Sequence, residues 1–510
     1  YVYNDNAAAT ASDAVAIGTG AKAEESNAIS IGYHSNAKAG NSLAVGSNAA
    51  ATGEGSVAVG RNNTASGASA IAMGILANAT GTSSTALGMQ ATASGNNTVA
   101  IGPSAKAIAD DSIAVGTNNT VAEKGVAIGK NVKAKASTYE NMVVGIDSEA
   151  SGAGGAMAVG MKVKTTGMDA VTVGRESQAT GAWGVAVGRK ANATGATSVA
   201  LGTDVTASGG NSAAMGSNAT SSGPGSLAIG SGTGNATTAL GANAIAMGTS
   251  SVAASSNAIA MGNGAVANGN DAIVIGRASK TENTANTVQA IVIGSNAYVG
   301  PQTAQSIAIG SGNKAGEGAA VTGDQSIAIG GNVKVDGHSA IAIGGDDARK
   351  AANQQVSYTN TNDTEVTGTL RNAILDLTGY DLSKYKGTTA GHAGVAYGTS
   401  ALAGNAGVAI GTAANSMARM NDKGQVVNDK PVTNAVAIGT GARANFDNSV
   451  AIGGGSNTDV GGTKQSSYTL PNNVVASWAG GDKTLPGDVV SFGSAGYERQ
   501  LKNVAPGEVS

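Results

Sequence analysis

The chain carries three imidazoles, His34, His338 and His392, and no cysteine, so a transition-metal centre would have to be built from these and from carboxylates. They stand far apart in sequence, none at ligand spacing from another, and exposed loop positions account for them. The carboxylate pairs Asp110-Asp111 and Asp346-Asp347 lie in turn-like stretches, and no nucleophile motif accompanies them. Glycine-rich runs mimic a dinucleotide fingerprint locally but lack the strand-to-helix context that aims main-chain amides at a pyrophosphate. Lys130, Lys133 and Lys135 form a small basic group that reads as a solvated loop rather than a polyanion site. Tyr358, Arg371, Tyr380 and Tyr385 are of the types favoured at recognition surfaces and fall within one polar stretch. They are candidate ligand contacts, against the alternative that they pack this stretch onto its surroundings. Catalytic, cofactor and metal roles all go unassigned, so the expectation is a protein that is not an enzyme and needs no cofactor.

Composition narrows the classes further. With 30 basic and 33 acidic residues there is no basic excess to serve nucleic acid or an acidic membrane surface. The 78 glycines and 3% aromatic content cannot furnish a large Leu/Phe core, so packing must rely on small side chains. No apolar run is long enough for a membrane helix, and Tyr1 does not open a signal peptide, which reads as a piece of a longer protein.

What must position any functional residue is a repeat. Ala14-Val15-Ala16-Ile17-Gly18 returns as an apolar-small-apolar-Gly motif twenty-seven times, spaced by 14 residues from Gly18 to Gly116 and again from Gly160 to Gly230. A short fixed period over hundreds of residues marks a solenoid. In one repeat, Leu43 and Val45 share a strand face opposite Ala44, Ala49 and Ala51 share a face of a second short strand, and Gly46 and Gly53 mark the bends. Fourteen residues then form a flattened two-sided β-roll. The middle residue is alanine except at Ser30, Val143, Thr172, Val274 and Val292, which assigns the small residues to a thin interior and Val/Ile to the outside. The competing assignment puts Val/Ile inside a monomeric roll. Turns stacked about 4.8 Å apart would expose on the order of 1,300 Å² of apolar strip, more than a soluble monomer tolerates, and the same strip on other copies would cover it. The strip is represented by Val15, Ile17, Leu43, Val45, Val57, Val59, Ile71, Met73, Ile259, Met261, Ile327 and Ile329.

Interruptions suggest the domain plan: repeats over 1–344, an insertion over 345–392, further repeats over 393–455 with a loop or hairpin near 417–431, and a strand-rich end over 456–510. Leu370 to Leu377 is the best helical stretch, with Thr369 placed as its N-cap and Gly379 as its stop. Tyr1 to Asn6 is placed over the exposed edge of the first turn.

The recurring unit, as in Gly55-Ser56-Val57-Ala58-Val59-Gly60 and Gln325-Ser326-Ile327-Ala328-Ile329-Gly330, resembles the head repeat of trimeric autotransporter adhesins of the YadA-like group. The run from Asp488 to Gly507 is similar to the neck that joins such heads to a stalk, and the stretch at 345–392 looks like their insert modules. The resemblance implies an all-β, left-handed parallel β-roll assembled as a homotrimer, against the general right-handed preference of parallel crossovers. It also implies a cell-surface position, with the outer-membrane anchor and stalk beyond Ser510. The implied function is multivalent, non-enzymatic attachment to host extracellular matrix, receptors or glycans, or to other bacteria, with roles in virulence and biofilm. The alternative is a rigid spacer of a surface fibre, with recognition elsewhere in the protein.

Overall fold

Alternation within each motif sets the local structure. In Val15–Ile17 the strand buries Ala16 completely and leaves Val15 and Ile17 half-exposed, and the same pattern repeats at Leu43–Val45, Val57–Val59 and Ile327–Ile329. The assignment of small residues to the interior therefore holds, and the version with Val/Ile inside does not. The computed structural model describes residues 2–3, 5–122, 124–135, 140–232, 234–282, 288–382, 387–419, 430–477 and 480–505. They form an all-β parallel solenoid of coils about 14 residues long, with two short helices.

Two compact units divide the chain, Tyr1–Asn243 and Ala244–Ser510. In the first, the leading strand of each coil pairs in parallel with that of the next, Val15 with Ile29 and Ile17 with Ile31, and the second strand does likewise, Lys22 with Asn36. In the second unit Ile245 pairs with Ile259 and Val252 with Val266. Lengthened loops leave this register intact: Ile128 still meets Val144 and Ile309 meets Ile329. At the start of the chain, the backbone of Val2–Tyr3 adds a strand against Ala16 and Ile17, so the first coil's edge is paired.

The interior is two facing layers of small side chains. All five exceptions to the middle alanine, Ser30, Val143, Thr172, Val274 and Val292, are fully buried. The two polar ones among these five come with partners. Ser30 and Ser35 share a hydrogen bond of 2.7 Å, and Thr165 Oγ1 donates to Thr172 Oγ1 at 2.8 Å and to the Met157 carbonyl at 3.1 Å. Pairing matters because an unmatched buried hydroxyl costs roughly 1–3 kcal/mol.

Motif glycines answer a steric demand. At Gly60, where φ is 132°, an added Cβ would run into the carbonyl of Gly74 in the next coil. Two residues on, the chain is left-handed at Asn48 (φ 55°) and Asn62 (φ 54°), and Asn48 Nδ2 donates to Asn62 Oδ1 at 3.0 Å. Asparagine tolerates this conformation better than most residues, and the ladder of amides ties neighbouring coils together.

In the second unit the chain leaves the roll at Gly345 and returns at Thr388, whose Oγ1 donates to the Gly345 carbonyl at 2.7 Å. Between them lie helix α1 (Arg349–Ala352), an antiparallel hairpin of Gln355–Thr359 with Glu365–Thr369, and helix α2 (Leu370–Thr378). Thr369 Oγ1 accepts from the Asn372 amide at 3.3 Å, and Gly379 closes α2 at φ 69°, its amide donating to the Leu375 carbonyl at 2.8 Å. Across this excursion the coils stay in register, Ile341 against Val395. Further on, Ser467–Thr469 and Val475–Ser477 form an exposed hairpin, and Val490–Ser491 resumes the leading sheet beside Val450. The loop expected around Asp422 lies outside the described residues.

Candidate functional site

The largest coherent surface is built by two columns of outward residues on the leading strands. In the first unit one runs Leu43, Val57, Ile71, Thr85, Val99 and the other Ile31, Val45, Val59, Met73, Leu87, each in direct register. In the second unit the columns include Ile259 with Met261 and Ile327 with Ile329, again in register with their neighbours. Neither column holds a charged residue in either unit. Ile71 is 36% exposed and Met73 38%, high for large apolar side chains in a regular sheet.

The outer face of the second sheet is chemically opposite. Lys133, Glu149 and Lys164 alternate in sign in one register column, and the edge beside it runs Asp147, Lys162, Glu176, Lys190, Asp204. Lys135 pairs with Glu149 at 2.7 Å and Arg189 with Asp204 at 2.6 Å. Cross-strand alternation of this kind supports the sheet by pairs worth about 0.2–1 kcal/mol each. Of the basic group expected as a loop, Lys130 and Lys133 stand on strands, and Lys133 and Lys135 face Glu149 on the next coil.

The insertion folds back onto the second unit's roll. Tyr380 lies on Gly441 and Thr378 on Gly455, so closely that a Cβ at either glycine would overlap them. Burial pushes the Tyr380 phenol up, with Arg443 opposing. Arg371 Nε bonds Asp381 Oδ1 at 2.8 Å, and Tyr358 sits half-buried on the hairpin. Tyr385 lies outside the described residues. The end of α2, the roll around Arg443 and the segment Ser494 to Tyr497 enclose a cleft of about 580 Å³. Arg443 is only 8% exposed, with Asp459 at 3.3 Å, and Arg499 reaches the Gly454 and Phe492 carbonyls at 2.7 and 2.8 Å. Sequence reading singled out none of Arg443, Asp459 or Arg499. Counting from Gly439 would have put Arg443 at an outward position, leaving its burial as the unexpected part.

All three histidines stand exposed in turns, as expected, but two of them meet. His338 and His392, distant in sequence, stack at 5.2 Å because the excursion between them returns to the next coil, while His34 stays exposed beside Tyr33. Among the described residues no group of three or more His, Asp or Glu is placed to hold a metal ion.

Comparison with known families falls on the regular coils. The YadA head domain repeat matches residues 9–35, 37–63, 65–91, 93–119, 179–204, 207–233, 233–251, 239–265, 253–279, 322–346 and 433–456, together half of the chain. The matches skip 120–178, 280–321 and 347–432, which take in several coils of drifting length and the excursion after Gly345, but they cover the lengthened coil between Gly230 and Gly248. No curated protein matches the chain. On the repeat, its register and its small-residue interior, the chain belongs to the YadA head family of trimeric autotransporter adhesins.

Proposed function

We propose that the chain works as the head of a homotrimeric bacterial surface adhesin, with the uncharged columns of the leading strands forming the seam between three parallel, left-handed rolls. The observation that supports this is the unbroken absence of charge on a half-exposed Val/Ile surface. Such a strip is best covered by its own copies, because identical chains bring identical strips at identical spacing. The seam residues are then Val15, Ile17, Leu43, Val45, Val57, Val59, Ile71, Met73, Ile259, Met261, Ile327 and Ile329.

In this reading the head stands on the cell surface, anchored through other regions of the protein in the outer membrane. It attaches to host matrix proteins, receptors or glycans, or to other bacteria, without catalysis. Three copies of each outer patch raise effective concentration, so weak contacts sum to firm attachment. Tyr358, Arg371, Tyr380 and Tyr385 mark the insertion as the part of the surface least like the repeats, and specificity is proposed to lie there. The test is binding of the purified protein to arrays of matrix proteins and glycans, run beside the Ile259→Asp variant. Avidity should fall by roughly 10²–10⁴ when assembly is broken. Equal binding by wild type and a monomeric variant would remove the multivalent mechanism.

A further inference from the structure

Each coil's second turn has a residue placed just before its left-handed position, and these residues form a column. At several of them an acceptor side chain takes the main-chain N–H of the preceding coil. The Thr82 amide donates to Asn96 Oδ1 at 2.9 Å, Asn96 to Asp110 Oδ1 at 2.7 Å and Thr433 to Asp447 Oδ1 at 2.8 Å. In the second unit four such bonds run in series. Ala304 donates to Asp324 Oδ1 at 2.6 Å, Asp324 to His338 Nδ1 at 2.9 Å, His338 to His392 Nδ1 at 3.2 Å and His392 to Asn405 Oδ1 at 3.0 Å. Two imidazoles thus occupy positions that other coils give to amides and carboxylates.

The substitution changes the chemistry of the column. A neutral imidazole has one acceptor nitrogen, and here it faces the main chain; a protonated one has none, whichever way the ring turns. Amide acceptors keep their lone pairs at all ordinary pH, and imidazole is the side chain whose charge ordinarily changes between pH 5 and 8. The rings stack at 5.2 Å and 19°, so charging both also sets two cations face to face. Charged neighbours come from each side: Asp324 on the coil before, Asp336 on the His338 coil, where it accepts from Thr322 Oγ1 at 2.8 Å, and Lys334 outward on the same strand. Asn405, beyond His392, is uncharged. Asp324 and Asp336 offer an imidazolium somewhere to turn once its bond to the main chain is lost.

The position gives this a consequence. His338 belongs to the last coil before the excursion at Gly345 and His392 to the first coil after its return at Thr388. We propose that His338 and His392 form an acid-sensitive clasp at the base of the insertion, in which protonation of His392 loosens the joint across the excursion and protonation of His338 loosens the joint one coil before it.

Hydrogen exchange on the intact protein, corrected for the intrinsic rate at each pH, tests this. Between pH 7.5 and 5.5 the amides of Asp324 and His338 should lose protection, by up to roughly tenfold per pH unit for each imidazole that takes up a proton on opening. The Thr82 and Asn96 amides, bonded to an amide and a carboxylate, should keep theirs. A His338→Asn, His392→Asn double variant supplies the acceptor other coils use and should lose the pH response while staying closed. Flat protection at both amides in the wild type, or an undiminished pH response in the double variant, would overturn the clasp. Should the double variant fail to fold, His392→Asn alone should flatten the His338 amide and leave Asp324 responsive; a still-responsive His338 amide would equally overturn it.

Discussion

Glycine shows how one residue type serves two purposes in one coil. Gly60 has no room for a Cβ because the Gly74 carbonyl lies against it, whereas Gly264, at φ 65°, has open space there, with nothing within 4 Å of where a Cβ would stand. Asn48 and Asn62 already occupy the place in their coils that Gly264 holds in its own. Gly60→Asn should therefore lower the melting temperature clearly, through strain of about 1–3 kcal/mol and a displaced neighbouring coil, while Gly264→Asn should leave it within about a degree or raise it. Thermal unfolding followed by circular dichroism separates the two. Equal effects would mean that the left-handed backbone alone, and not the stacking of coils, sets the requirement. This distinction was only partly legible in the sequence: the period located both glycines, but steric closeness to the next coil is a property of stacking.

At the scale of elements, the roll was read from alternation and the insertion from its interruption. Strand faces, the α2 helix and its caps followed from side-chain type at fixed spacing, because those forces are local. That tyrosines of this stretch pack it onto the roll was one reading of the sequence, and Tyr380 does so; what escaped was which residues they meet. Nothing local tells that Tyr380 comes down on Gly441 or that Arg443 is covered, and His338 and His392 could be paired only by counting turns across the break. The structure also shows how little the roll needs the insertion. Removing residues 347–387 leaves Asp346 as the turn residue, already bonded to Asn332 Nδ2 at 2.7 Å, followed by Thr388 and the Thr389–Ala390 strand. That variant should fold with its coils intact, and ligand binding by it should fall if the insertion carries specificity; unchanged attachment would move recognition to the repeats. Separately, Gly441→Asn should lift Tyr380 from its seat and raise proteolytic cleavage of the 347–387 stretch without unfolding the roll. Unaltered cleavage would show that Thr378 on Gly455 suffices to hold it.

For the whole molecule, the decisive quantity is how many copies share the uncharged strip. A monomer would leave large Val/Ile surface wet along both units, and neither outward column of the leading strands offers a charge to keep copies apart. Ile259→Asp would bury a carboxylate at each of three facing sites and should weaken assembly strongly, whereas Lys164→Asp on the second sheet should not. The most direct measurement is the sedimentation mass of the purified chain at micromolar concentration. The account predicts a single species of three times the 48.9 kDa chain mass that Ile259→Asp shifts toward one chain; a wild-type monomer, or an oligomer indifferent to that substitution, would contradict it.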